Sequence, residues 1–322
     1  HIFKYVGLWN KNKNQINVHR YSIEDGQESY SSKSINYLDT INYIFNDNLN
    51  LAVRYSVDYY QDNRVDYQPP GSAGDGNNGT YAEDRISNKL AQFNAFFTGG
   101  IDITSNIGLD CTVGFQQVEQ DYRRLSPFEA VFTNPDQEFL NPGNAASQNS
   151  NPSAFTELRR SSGAYGVLNL NVGENLLIEL SGRGETFSTM PNRGTIFYPS
   201  ASVGYKLTDL VGVDAINFLK VRASYGEVGV APPAYITSTV LGPGGIGSGW
   251  GDGLDGSLYG NPFTQSTTRG NPDLKEERKK EFEIGFDSRL FNNKLTLGFT
   301  YYDNKTEDGI LALPITPSSG FN

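Results

Sequence analysis

Leu49-Asn-Leu-Ala-Val-Arg-Tyr-Ser-Val-Asp-Tyr-Tyr60 sets an apolar side chain at every odd position and, until its last residue, a polar or small one between. Successive side chains of a β-strand point to opposite faces, so this stretch has one apolar and one polar face as a strand and no coherent face as a helix. Ile107-Gly-Leu-Asp-Cys-Thr-Val-Gly-Phe115 repeats the pattern. So do residues 91–97, 176–187, 197–207, 219–225, 282–290 and 295–301, with a weaker copy at 163–172. The polar positions include Glu179, Arg183, Lys220, Arg222, Glu283 and Asp287, which need water or partners on their side of the sheet. The fold class is all-β, with about ten clear strands.

The connections sort by length. Short ones at 46–48, 173–175 and 291–294 hold the Asn, Asp or Gly that tight turns require. Long ones are expected at 62–88, 119–162 and 229–279, rich in Gly, Pro, Asn and Ser. Traced up and down, every short turn falls at one end of the sheet and every long loop at the other. That is the plan of a transmembrane antiparallel β-barrel, with short periplasmic turns and long extracellular loops. A soluble β-sandwich also alternates, but structureless loops of this size are uncommon inside a compact domain.

Composition agrees with a barrel. Tyr (19), Phe (19) and Gly (35) are plentiful, as strands and turns demand. Mean hydropathy is −0.47 and no run of eighteen apolar residues occurs, so no transmembrane helix is expected. A barrel strand crosses in about 9–11 residues and shows lipid only alternate side chains, which leaves hydropathy low. A formal charge of −10 opposes a nucleic-acid partner. The single Cys111 forms no internal disulfide and leaves the redox compartment open. The first residues lack the basic start and apolar core of a secretory signal, so the chain reads as an internal segment with any export signal upstream.

Two stretches resemble a known family. The first is Asn192-Arg-Gly-Thr-Ile-Phe-Tyr-Pro-Ser-Ala-Ser-Val-Gly-Tyr-Lys-Leu207 followed by Phe218-Leu-Lys-Val-Arg-Ala-Ser-Tyr-Gly226. The second runs through Asn271-Pro-Asp-Leu-Lys-Glu276, Glu283-Ile-Gly-Phe-Asp287, Leu290-Phe-Asn-Asn-Lys-Leu295 and Thr300-Tyr-Tyr302 to Ile310-Leu-Ala-Leu-Pro314. Together they resemble the barrel of the SusC/RagA family of TonB-linked outer-membrane proteins, best from about residue 163 to 321. Arg183-Gly-Glu-Thr-Phe-Ser188 departs from the Arg-Ala-Asp-Gly-Ser-Ser-like segment of many relatives. The resemblance implies part of a barrel of about 22 strands with a plugged lumen. On that reading the chain is one partial barrel domain over 1–322, with the plug and the closing strands outside it.

Chemistry is sparse. His1 and His19 have no Cys or carboxylate at ligand spacing, so no metal site is expected. No Gly-x-Ser-x-Gly elbow occurs, and no catalytic residue or cofactor is assigned. Glu276, Glu277, Glu281 and Glu283 suggest a carboxylate cluster, but beside Lys275, Arg278, Lys279 and Lys280 they read as a solvated charged rim. Gly242-Pro-Gly-Gly-Ile-Gly-Ser-Gly-Trp-Gly-Asp-Gly253 is glycine-rich without the Gly-Lys-Ser/Thr of a phosphate loop and reads as an extracellular loop. In it Trp250 and Asp252, with Tyr235 and Tyr259 nearby, could stack on and hydrogen-bond a sugar or peptide, though aromatics packing on their own loop is the plainer reading. Paired aromatics at 59–60, 96–97, 197–198 and 301–302 suit the interfacial girdles of a barrel and equally a sheet core.

The expected function is TonB-dependent import of a large nutrient across the bacterial outer membrane, with no bond broken. The resemblance adds a SusD/RagB-like surface lipoprotein and the TonB complex as partners, beside outer-membrane lipid and an oligosaccharide or peptide substrate. The long loops at 119–162 and 229–279 are the segments for that partner or substrate. Alternatives are a soluble secreted glycan-binding β-protein and a passive porin.

Overall fold

A computed structural model describes residues 2–8, 18–23, 26–68, 79–131, 153–243 and 263–321. Its elements are β1 (Ile2–Leu8), β2 (Val18–Ile23), β3 (Gly26–Asn46), β4 (Leu49–Gln68), β5 (Thr80–Thr104), β6 (Ile107–Val131), β7 (Ser153–Val172), β8 (Leu176–Phe187) and β9 (Ile196–Lys206), then α1 (Thr208–Val211), β10 (Ile216–Val230), β11 (Leu241–Pro243), β12 (Phe263–Gln265), β13 (Glu277–Leu290) and β14 (Leu295–Glu307). A 12-stranded sheet follows chain order from β3 to β10 and on to β13 and β14, with β1 and β2 both pairing β3, while β11 and β12 pair separately. The chain divides into two compact units, His1–Phe96 with Gln116–Arg160, and Phe97–Phe115 with Ser161–Asn322.

Every strand read from alternation is present, and the short turns stand where their residues put them. The Asn48 N–H donates to Asn46 Oδ1 at 2.9 Å between β3 and β4. Gly173 takes φ 61° between β7 and β8, a conformation open to glycine at no steric cost. Phe291, Asn292 and Asn293 all have positive φ between β13 and β14. Longer links join the opposite ends, at 69–79, 132–152, 188–195 and 231–276.

Three expectations on loops are corrected. Residues 62–68 and 80–88 belong to β4 and β5, and residues 119–131 and 153–162 to β6 and β7. The segment 229–279 contains the ends of β10 and β13 and the small β11–β12 pair. β1, β2 and β3 stand ahead of residue 46, where the alternation reading places no strand, so the described residues hold fourteen strands against an expected ten or so. In 62–68, 80–88, 119–126 and 153–162 polar residues fall on both faces, so alternation vanishes while backbone pairing continues; β3 does alternate, with Tyr37, Ile41 and Tyr43 on one face. β5 and β6 are 25 residues each, more than twice the span a bilayer requires.

Each unit carries an apolar sheet face. In β3 and β4 the pairs Tyr37↔Val57, Ile41↔Val53 and Tyr43↔Leu51 share one face. In β13 and β14 it is Ile284↔Tyr301, Phe286↔Phe299 and Leu290↔Leu295, with the Phe286 and Phe299 rings stacked at 6.1 Å. In the second unit this face is uncovered: Ile101 and Phe299 are each 58% exposed and Val113 55%. The buried apolar residues among those described are Ala52, Ile86, Met190, Ile196 and Tyr198, far too few for a sheet of this size in water. An apolar exterior over a polar opposite face requires lipid on one side and water on the other.

The polar face is internally paired. Arg222 donates to Asp287 Oδ2 at 3.3 Å and Thr300 Oγ1 at 2.7 Å, and lies 3.8 Å from Glu283 Oε2. Its register partner is Gly285, where an added Cβ would sit 2.5 Å from the Phe299 carbonyl oxygen, so glycine there allows the close approach of β14.

Candidate functional site

The functional candidates lie where strands meet the longer links, because residues there reach water and whatever arrives from it. Each unit carries one such region.

In the first unit, the ends of β5, β6 and β7 beyond the apolar band are covered with ion pairs. Arg124 grips Asp84 with two bonds, 2.7 Å and 3.2 Å, and the Ser126 hydroxyl donates to the same carboxylate. Arg160 pairs with Glu119 and Arg123 with Asp121, at 2.7 Å and 2.8 Å. Arg85 pairs with Glu83 at 2.7 Å, and Arg159 pairs with Glu157. Several of these are i, i+2 pairs, the spacing that puts two side chains on one strand face. The bond from Arg124 holds the Asp84 carboxyl below its ordinary value, against the opposing effect of partial burial.

In the second unit, two arginines converge on one carboxylate. Glu276 is only 3% exposed. It accepts from Arg193 at 3.2 Å and from Arg278 at 3.0 Å. Arg278 also donates to Glu227 at 2.6 Å and lies 5.3 Å over the Tyr198 ring. Burial pushes the Glu276 carboxyl up, but hydrogen bonds from backbone, Arg278 and Arg193 outweigh it and hold it below the ordinary value. This corrects the solvated-rim reading at one position: Glu276 is a buried tie, although Lys279, Glu281 and Glu283 keep to the wetter surface.

The same place has an apolar floor. Met190, Ile196 and Tyr198 pack with Phe187 and Ala231. Beside it the Asn192 side-chain amide donates to the Pro272 carbonyl at 3.3 Å. Asn271 begins a tight turn, its side chain accepting from Asp273 N–H at 3.0 Å, and its own N–H donates to Ile236 at 3.2 Å. An added Cβ at Gly270 would overlap the backbone of Ser238, so only glycine allows this approach. The two quoted motifs, about eighty residues apart in sequence, are thus the two halves of one clasp. Spacing alone could not show that; a charged Arg193 facing an acidic Glu276 was the available signal, and it has no fixed sequence interval.

Of the residues nominated for substrate contact, Tyr235 lies at the root of the segment held by the clasp, 52% exposed and at φ 69°. Trp250, Asp252 and Tyr259 lie outside the described residues. Among the described residues no group of three or more His, Cys, Asp or Glu is arranged to hold a metal.

Comparison with known proteins covers nearly the whole chain. A family model described as TonB dependent receptor-like, beta-barrel matches residues 3–322. TonB-dependent receptor P3 of Formosa agariphila is 27% identical over 173 residues, 52% of this chain and 17% of that protein. TonB-dependent receptor P26 of the same organism is 28% identical over 163 residues, 49% of this chain and 16% of that protein. Among solved structures, the RagAB peptide transporter superposes with a TM-score of 0.78 at 18% identity, covering 92% of this chain and 32% of that one. The RagAB peptide importer in its closed-closed state gives 0.80 at 17% identity, covering 93% and 32%. The matches therefore span about a third or less of the length of each of these relatives.

Proposed function

The chain belongs to the TonB-dependent receptor β-barrel family of outer-membrane proteins, a receptor family and not an enzyme class, and from that premise we propose that the protein imports a polar nutrient, a glycan or a peptide, too large for passive pores. Energy would arrive through TonB acting on a plug in the lumen, and a RagB-like surface lipoprotein would sit over the extracellular links. The observation that carries this reading is the likeness in fold to the RagAB peptide transporter over 92% of the chain. An apolar exterior band supports the membrane setting, in place of the soluble secreted protein considered from sequence.

Contact with nutrient or lipoprotein is assigned to residues 132–152 and 231–276, with Tyr235, Trp250, Asp252 and Tyr259 as the contact side chains of the second segment. Residues 132–152 and 244–262 lie outside the described residues. The clasp at Glu276 supports this assignment, because it holds both ends of a long segment at the loop side of the sheet, where binding residues commonly lie. No covalent chemistry is needed for uptake.

The test is uptake of fluorescently labelled oligosaccharides and peptides by the source bacterium, by a strain lacking this gene and by a strain lacking TonB. Uptake of one labelled class that vanishes in both deletion strains is the expected result. Uptake that needs this gene but survives without TonB would make the protein a passive porin.

A further inference from the structure

The ion pairs at the loop-side ends of β5, β6 and β7 fall on two faces of these neighbouring strands, and alternation sorts them. Asp84, Arg124 and Ser126 bond to one another from even positions of β5 and β6. The odd positions of β5 carry Ala91, Phe93 and Ala95 and then, nearer the loops, Lys89, Arg85 and Glu83. On β6 the odd row runs from Val113 and Phe115 to Glu119, Asp121 and Arg123. The matching row of β7 is even, because Arg160 donates to Glu119 at 2.7 Å, and it also holds Leu168 and Leu170. Four cations, Arg85, Lys89, Arg123 and Arg160, therefore continue the apolar, lipid-facing rows toward the loops. Counted from Thr104, Lys89 lies past the roughly 9–11 residues that cross a bilayer, at the level where headgroups begin.

We infer that this patch binds the phosphorylated headgroup of an outer-leaflet lipid. Its cations are presented and its carboxylates are tucked beneath them. The Arg85, Arg123 and Arg160 side chains are 54%, 62% and 54% exposed, against 14%, 23% and 33% for their partners Glu83, Asp121 and Glu119. A guanidinium has five N–H donors and a carboxylate fork takes two of them. Arg123 uses Nε and Nη2 on Asp121, at 3.0 Å and 2.8 Å, which leaves its Nη1 donors for an acceptor from outside. Lys89 is exposed, and its charge adds to the bond from Arg123 in holding the Asp121 carboxyl below its ordinary value. Four cations against three carboxylates leave a positive excess here, on a chain whose formal charge is −10. A phosphate offers the charge and the acceptor oxygens that such a cluster of arginines matches. Because the cations continue an apolar row, the phosphate that suits them is one carried by a lipid, its acyl chains lying along that row. The import path faces the other side of the sheet, so this site holds no cargo.

The inference goes beyond the import reading and does not depend on it. It is tested on the full-length protein in dodecyl maltoside by native mass spectrometry, titrating with phosphorylated lipid A, with the same lipid stripped of its phosphates, and with inorganic phosphate. Phosphorylated lipid A should bind and the stripped lipid should bind at least about tenfold more weakly, with added salt narrowing the gap. The triple variant Lys89→Gln, Arg123→Gln, Arg160→Gln should lose about tenfold in affinity for the phosphorylated lipid, since each cation near an anionic headgroup is worth up to roughly fivefold and these are partly paired. Lys89→Gln alone leaves the three arginine–carboxylate pairs in place and should lose about threefold, which reads the site without risk to the fold. Arg124→Gln removes a cation from the opposite face of the same strand ends and should change nothing. The site is overturned if the stripped lipid binds equally well, if Lys89→Gln and the triple variant bind as the wild type does, or if Arg124→Gln loses as much as they do. Inorganic phosphate that displaces the lipid at equal concentration would also overturn it, by making this a free-anion site.

Discussion

The loop-side ends of the two units use the same residue types to different effect. In the first, Arg124 and Asp84 form a two-bond pair, yet their side chains are 51% and 25% exposed. In the second, the Glu276 side chain is 4% exposed and receives two arginines from different segments. An exposed pair trades hydration for a contact of nearly equal free energy and contributes about 0–1 kcal/mol. A buried carboxylate has already lost its water, so its partners are indispensable. Charge near a strand end is therefore upholstery in one unit and a tie in the other, and burial decides which.

Glu276→Ala tests that contrast most severely. It leaves Arg193 and Arg278 without their shared acceptor and should cost about 3 kcal/mol of local stability, at the lower end for broken buried pairs because Arg193 is itself 39% exposed. Amide hydrogen exchange of residues 231–276 should accelerate accordingly, while exchange in β5 and β6 stays unchanged. Equal protection of residues 231–276 in the variant would mean that the clasp is held by the apolar floor alone.

Gly270→Ala attacks the same clasp without touching charge. The new Cβ must displace the Ser238 backbone, so about 1–3 kcal/mol is expected. Limited proteolysis of residues 231–276 in detergent reads it, and wild-type resistance would show that this backbone contact yields cheaply.

Acid provides a milder probe. The folded-state value of Glu276 is depressed below the ordinary 4.5, so its contribution is complete above that value and disappears as pH falls through the depressed one. Protection of residues 231–276 should hold from neutral pH through the usual carboxylate range and fail only below it. Failure at or above the ordinary value would place the controlling proton elsewhere.

The smallest effect is expected from Arg124→Ala. Asp84 keeps the Ser126 hydroxyl and regains water, so the loss of thermal stability should be slight and shrink with added salt. Thermal melting at low and high ionic strength would measure it, and a salt-independent loss several times larger would mark the exposed network as structural.

Much of the fold was legible in single strands. Residues 49–60 and 107–115 announce a two-faced strand because lipid and water impose opposite demands on neighbouring side chains. The reading failed at 62–68, 80–88, 119–131 and 153–162, where the sequence lacks a regular two-faced pattern; only cross-strand pairing reveals those strands. The candidate sites were less legible. Tyr235 stands at the root of the segment held by the clasp, but the pairing of Arg193 with Glu276 gave no signal of fixed spacing, since the two meet only in the folded chain.

The sequence by itself determined the all-β class, the two-faced strands, the short turns at one end and the kinship carried by its motifs, because each depends on neighbours within a dozen residues. Only the tertiary structure decided how far β5 and β6 extend, that Asn192 and Arg193 grip Pro272 and Glu276, and that Glu276 is buried while Asp84 is not. Burial and partnership across eighty residues are properties of packed segments, and no local pattern of residue types encodes them.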